Sequence, residues 1–290
     1  METADLIKKV RRIEIKSRQL SRNVLSGEYH SSFKGKGMAF SEVRNYQVGD
    51  DIRSIDWNVT ARKNEPFIKV FEEERERTLM LLIDVSPSGH FGSKVQRKSD
   101  LVTELAATLA FSAIQNNDKV GVLFFTDKVE KYVPPKKGRQ HILTIIRELI
   151  DIQPEGKGTD IGAALEYLNN VQKRKAIVML ISDFMDTDYE STLKVSARRH
   201  EIIALHVTDP AELQLPSLGI VPVRDAETGL QKWVNTSSKT QKRKYRESLD
   251  RFREYYHQSC KLAGIGQIDL QTDGDYAKAL LSYFQSHHKS

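Results

Sequence analysis

The sequence of 290 residues contains a single cysteine, Cys260. One thiol excludes an internal disulfide and a thiolate cluster for zinc, and it leaves no mark of an oxidising compartment. With no local partner, Cys260 reads as a small, half-buried side chain on a C-terminal helix. Long hydrophobic runs are also missing: no apolar stretch approaches the roughly 18 to 20 residues of a membrane span. The N-terminus, METADLIKKVRRIEIKSRQL, mixes charged and aliphatic residues and lacks the apolar centre of a signal peptide. These absences lead to the expectation of a cytoplasmic protein.

Catalytic signatures are equally scarce. GHFGSK and GKGTD each contain Gly and Lys, yet neither fits the phosphate loop G-x-x-x-x-G-K-[ST]. The eight histidines are scattered, and no nucleophile, base and orienting acid can be assembled from local sequence. The expectation is a protein that is not an enzyme and takes no small-molecule substrate.

What is present suits a globular chain: 39% hydrophobic and 29% charged residues with a net charge of +6. That charge permits attraction to acidic proteins, nucleic acid or lipid without selecting among them. Residues 1–77 read as an N-terminal accessory module. A basic helix with Leu6, Val10, Ile13 and Leu20 leads into the Gly-, Ser- and Lys-rich stretch SGEYHSSFKGKGMAF, followed by short β-like pieces. From residue 78 to 290 strands alternate with helices. The strands TLMLLID, KVGVLFF and AIVMLIS are continuous apolar runs, which predicts a mostly parallel sheet covered on both faces, a doubly wound α/β fold. A strand pair near residues 219–234 interrupts the alternation, and a long charged helix is predicted over 239–263.

In such a fold, ligands bind beyond the carboxyl ends of the strands, and three loops there carry oxygen donors. Asp84, Ser86 and Ser88 follow the first core strand, Thr159 opens the helix IGAAL, and Asp183 ends AIVMLIS. A hard dication such as magnesium takes about six oxygens and suits one or two carboxylates supplemented by neutral hydroxyls. Two aspartates at most balance its charge, so a metal held this way keeps an appetite for an outside carboxylate. Taken singly, each residue is an ordinary cap or turn residue, and Thr159 and Asp160 suit a helix N-cap. Asp186 and Asp188 read as solvated loop charges, with the substitution of one of them for Asp183 as the alternative.

The order DVSPS, GTD, ISDF resembles the metal-ion-dependent adhesion site (MIDAS) of von Willebrand factor A domains. The resemblance implies that Ser86, Ser88 and Thr159 are direct or near-direct ligands and that Asp84 and Asp183 act through water or hydroxyls. It implies magnesium, with manganese or calcium as alternatives, and a protein partner presenting Asp or Glu to the metal.

Upstream, VRNYQVGDDIRSIDWNVTAR crowds Arg and Asp around a Gly turn and a Trp. Alternation through Ile52 and Ile55 predicts a short strand. Arg44, Asp50, Asp51, Arg53, Asp56 and Arg62 are candidates for an ion-pair network under Trp57, either structural or part of a partner surface. The positions Arg44, Tyr46, Gly49, Asp50, Arg53, Asp56, Trp57, Ala61 and Arg62 are similar to those of the DUF58 family. That resemblance implies an adaptor or chaperone-like role beside a MoxR-type AAA+ ATPase or its client. Many members carry N-terminal membrane helices, and here the sequence departs from them. Two other readings remain: nucleic-acid binding through the basic segments KKVRRIEIKSR and KTQKRKYRESLDRFR, and a phosphatase of haloacid dehalogenase type. The phosphatase reading lacks its acid/base aspartate, since Ser86 occupies that position.

Overall fold

The run Leu79–Ile83 has no exposed surface on any of its five side chains, which requires neighbours on both edges and cover on both faces. The computed structural model supplies them; it describes residues 3–21, 39–72, 76–92, 96–224 and 231–287. Two compact units divide the chain, Phe33–Glu76 on the one hand and Met1–Ser32 with Arg77–Ser290 on the other. Most of SGEYHSSFKGKGMAF, residues 26–38, lies outside the described residues.

The larger unit is built on strands β3 (Thr78–Asp84), β4 (Lys119–Phe125), β5 (Val129–Lys136), β6 (Ile177–Ser182), β7 (Glu201–Thr208) and β10 (Gly266–Gln271). Their order in the sheet is β10-β7-β6-β3-β4-β5. All pairs are parallel except β4 with β5. This is the doubly wound, mostly parallel α/β sheet that the apolar runs predict. The chain order reverses between β3 and β6, and a switch of this kind opens a crevice at the carboxyl ends of the two strands.

Helices α5 (Ile161–Val171), α6 (Glu190–Arg199) and α7 (Lys239–Ala263) cover one face. Their buried side chains Leu165, Leu168, Leu193 and Tyr256 pack on Met80, Leu82, Val178 and Leu180. Each such apolar side chain removed from water contributes about 1.5 to 3 kcal/mol. Cys260 is wholly buried in this layer rather than half-buried, and burial pushes its thiol up to about 12. The other face carries α3 (Lys98–Gln115) beside α4 (Arg139–Asp151), while α8 (Tyr276–His287) meets α3 through Tyr276 Oη and Thr108 Oγ1, 3.4 Å apart. Helix α1 (Thr3–Leu20) packs on α3 and α4, and Arg139 Nε donates to its Glu14 at 2.6 Å. The hairpin of β8 (Ile220–Arg224) and β9 (Gln231–Asn235) is the interruption expected before α7. Among the described residues, no helix is long and apolar enough to cross a membrane.

In the Phe33–Glu76 unit, β1 (Ala39–Asn45) pairs antiparallel with β2 (Phe67–Glu72), and α2 (Trp57–Lys63) lies between them in sequence. The strand expected through Ile52 and Ile55 is instead a 3-10 turn over Ile52–Ser54, followed by a single bridge from Ile55 to Ile68. Two aspartates explain the difference. Asp51 accepts from the Arg53 amide at 2.9 Å, and Asp56 caps α2 by accepting from Asn58 and Val59. These local bonds compete successfully with a strand ladder.

Candidate metal centre

The register of the central strands sets the site. Ile83 pairs with Ile181, so Asp84 and Ser182 emerge side by side at the switch point. Asp84 Oδ2 accepts from Ser182 Oγ at 2.7 Å and from Thr159 Oγ1 at 3.4 Å, while its Oδ1 accepts from the Ser86 amide at 2.9 Å. Ser86 Oγ and Ser88 Oγ lie 3.0 Å apart, and a hydrogen bond from Ser88 reaches Asp183. The structure thus brings together all five oxygen-bearing side chains singled out at the strand ends.

Thr159 is placed by a loop tied to the β4–β5 turn through hydrogen bonds. Glu130 accepts from the amides of Gly156 at 2.8 Å and Glu155 at 3.2 Å, and the Asp160 amide donates to Thr126 O at 2.9 Å. A Cβ on Gly156 would stand 2.0 Å from Thr126 Oγ1 and 2.1 Å from Asp127 Oδ1, so only glycine allows this approach. Asp160 then caps α5 by accepting from the Ala163 amide at 2.7 Å, which leaves Thr159 directed at Asp84. Asp186 is not a solvated charge: it accepts from the Ile161 amide at 2.8 Å and holds the same helix start. The return from β6 passes through Phe184, a fully buried side chain whose φ of 54° lies in the left-handed region. A bulky residue holds that conformation only when its surroundings compel it, and here the Phe184 amide is fixed to Ser182 Oγ at 3.0 Å.

The electrostatics separate the two aspartates. Burial and the adjacent Asp183 push the Asp84 carboxyl up to about 6, against the pull of Ser182 and Ser86. Burial would raise Asp183 as well, but Lys98 holds it below the usual carboxylate range. Lys98 Nζ stands 2.8 Å from Asp183 Oδ2 and 2.6 Å from Glu212 Oε1, with only 3% of its side chain exposed. Burial alone would depress this ammonium; the two carboxylates raise it above its ordinary value. Neither Lys98 nor Ser182 was singled out from the sequence. The available signal for Lys98 was a cation opening an apolar helix, where the helix dipole disfavours it. Ser182 was visible as a hydroxyl closing a fully buried strand.

The donor set fits a divalent cation. Adjacent ligands of an octahedral magnesium, each about 2.0 to 2.1 Å from the ion, are about 2.9 Å from one another, and Ser86 Oγ and Ser88 Oγ are 3.0 Å apart. Among the described residues, no group of three or more His, Cys, Asp or Glu side chains could hold a metal, so any ion here depends on the hydroxyls. Asp183 has both oxygens engaged, Oδ2 with Lys98 and Oδ1 with the Met185 amide at 3.3 Å, which suits action through Ser88.

The Arg and Asp residues of the smaller unit form separate contacts rather than one network. Arg44 makes a two-pronged pair with Asp50 at 2.7 and 2.9 Å, which holds that carboxyl below the usual range. Asp56 pairs with Lys69 at 3.7 Å. Among the described residues, Arg53 and Arg62 take part in no side-chain ion pair, and Trp57 is 68% exposed.

Residues 42–255 match the family described as Protein of unknown function DUF58. The chain belongs to the DUF58 family. It is 33% identical over 224 residues to the uncharacterized protein Rv1480 of Mycobacterium tuberculosis, covering 76% of this chain and 71% of that protein. It is 26% identical over 186 residues to the uncharacterized protein YeaD of Bacillus subtilis, covering 64% of this chain and 43% of that one. Among solved structures, it is similar to the conserved hypothetical protein BatB of Bacteroides thetaiotaomicron, with a TM-score of 0.46 and 16% identity over 74% of this chain and 100% of that one. It is also similar to the SpRpn10 VWA domain, with a TM-score of 0.40 and 10% identity over 72% and 94% of the respective chains. A third, the mussel byssus protein PTMP1 with a zinc-occupied MIDAS motif, gives a TM-score of 0.35 and 22% identity over 46% and 38%.

Proposed function

We propose that this DUF58 protein is a metal-dependent interaction module rather than an enzyme. In this reading Ser86, Ser88 and Thr159 hold a magnesium ion, with manganese or calcium as substitutes, and Asp84 and Asp183 orient them. The ion would supply a positive centre with an open position for a carboxylate of a protein partner. The observation that carries the reading is the convergence of these side chains at the switch point, with Ser86 Oγ and Ser88 Oγ 3.0 Å apart.

The chain's own residues account for the preference for an anion. Lys98 already neutralises Asp183, and Asp84 is left as the main free anionic charge at a dication, so the site has a net positive balance. Family resemblance suggests a MoxR-type AAA+ ATPase, or a client delivered to one, as the source of the Asp or Glu. The test is affinity capture from native lysate with the full chain in magnesium, in EDTA, and with Asp84→Ala in magnesium. A partner retained only by the unaltered chain in magnesium supports the reading. The same partners in all three would overturn it.

A further inference from the structure

Beside Asp183 the surface opens into a cavity of about 290 Å³. One wall is a stripe of α7: Tyr245, Leu249, Phe252 and Tyr256 recur at helical spacing and face the strand ends. The opposite wall carries Phe184, Met185 and Leu213. The volume is near the low end of the range, about 300 to 1,000 Å³, in which proteins hold small ligands. It is room for one large apolar side chain, and none of the described residues fills it.

The cavity continues into a second hollow of about 420 Å³ that shares Leu213, Tyr245 and Arg246 with it. Here the lining becomes cationic, with Lys239, Lys242 and Arg243 beside Arg246. Arg253, two turns along the same helix, faces the first cavity. Arg246 and Arg253 make no hydrogen bond or ion pair among the described residues, although Arg253 stands near enough to Asp269 to help lower its carboxyl, whereas Lys242 meets Ser217 and Arg243 meets Glu247 at 3.5 Å. Three acidic groups also line the first cavity, Asp183, Glu212 and Asp250, and Asp183 is paired with Lys98. Glu212 is committed to Lys98 and to the Asp209 amide, and Asp250 lies one turn from Arg246.

We propose that this trough, which opens beside Asp183 and follows α7 between Lys239 and Tyr256, docks an extended acidic segment of a protein partner. One carboxylate of the segment reaches the metal centre. A large apolar side chain a few residues away enters the 290 Å³ cavity, and further carboxylates pair with Arg246, Arg253 and the cations beyond. The inference rests on the function proposed above and adds the partner's recognition chemistry. Three features favour a peptide: an apolar hollow that reaches Asp183 at the edge of the metal centre, cations at and beyond that hollow, and their spacing along one helix, which an extended chain can follow at about 3.3 Å per residue.

The probe is a phage-displayed library of random dodecapeptides panned on the full chain in magnesium, with the most enriched peptide then titrated by fluorescence anisotropy. The expected peptides combine an acid, a nearby large apolar residue and further acids. Arg246→Glu with Arg253→Glu, and separately Leu249→Trp to fill the cavity, should each weaken binding about tenfold or more, with circular dichroism and magnesium binding unchanged. If EDTA abolishes binding but the groove variants bind as before, the trough proposal is overturned and the metal reading stands. If the groove variants lose binding but EDTA has no effect, the trough is supported and the metal reading fails. No enrichment, enrichment of peptides without acids, or binding of a DNA duplex in place of peptides overturns the trough proposal.

Discussion

Replacing Lys98 by methionine should cost more stability than any other single change at the switch point, and the loss should depend on pH and metal. Lys98 and Asp183 have side-chain exposures of 3% and 6%, and Glu212, the second partner, 19%. Methionine preserves the apolar stem but removes the ammonium, leaving Asp183 charged and nearly dry. Deleting one member of a buried pair costs about 3 to 5 kcal/mol, because the remaining charge has lost its partner. Bonds from Ser88 and the Met185 amide stay with Asp183 and keep the loss toward the lower end. The freed carboxylate can also be neutralised by a proton or by a divalent cation. Urea unfolding followed by circular dichroism should therefore show the full loss at pH 7 in EDTA, a smaller loss near pH 5, and partial recovery in magnesium. A ligand at a hundred times its Kd adds about 2.7 kcal/mol, and because the unaltered chain gains from its own site too, the recovery in the difference equals the extra affinity that a freed Asp183 gives the variant. A loss below about 1 kcal/mol, or one indifferent to both pH and magnesium, would refute the buried-pair account.

Other perturbations test neighbouring parts of the site. Asp84 has a folded pKa of about 6 against an unfolded value of 3.8, so the folded protein retains a proton that the unfolded chain gives up between them. Stability in EDTA should thus fall as pH rises through this window; Asp84→Asn should lack that part of the slope, and a constant difference between the two proteins across the window would contradict it. The same sign makes metal binding weaker below about pH 6, measurable by titration calorimetry at two pH values. Ser182→Ala removes a donor to Asp84 and the acceptor of the Phe184 amide, at a cost of about 1 to 3 kcal/mol, read by urea unfolding; a neutral result would show that neither bond matters. Gly156→Ala forces Thr126 and Asp127 aside, which should cost about 1 to 3 kcal/mol and displace the amide resonances of Lys157 to Asp160; unchanged resonances would refute the close-approach argument.

The fold was legible because its signal is local. Leu79–Ile83 and Ile177–Ile181 are continuous apolar runs, and a strand buried on both faces needs nothing else to declare itself. Asp84 and Asp183 stood out because a carboxylate ending such a run is costly without a partner. Lys98 did not stand out, because its two partners lie 85 and 114 residues further along the chain, and only the crossover brings them together. Asp186 was misread for a related reason: its target, the Ile161 amide, is 25 residues away. The turn at Ile52–Ser54 shows the reverse failure. Ile52 and Ile55 suggested a strand, but their spacing of three suits a 3-10 turn and not the two-residue alternation of a strand, and Asp51 and Asp56 supply caps within two or three residues.

The most direct test of the account is calorimetric titration of the purified full chain with magnesium and with manganese, beside a Ser86→Ala, Ser88→Ala double variant. The account predicts one saturable site in the unaltered chain, with Kd in or below the order of millimolar, and no detectable site in the variant while its unfolding transition is retained. Equal binding by both proteins, or none by either, would contradict a metal centre built on these two hydroxyls.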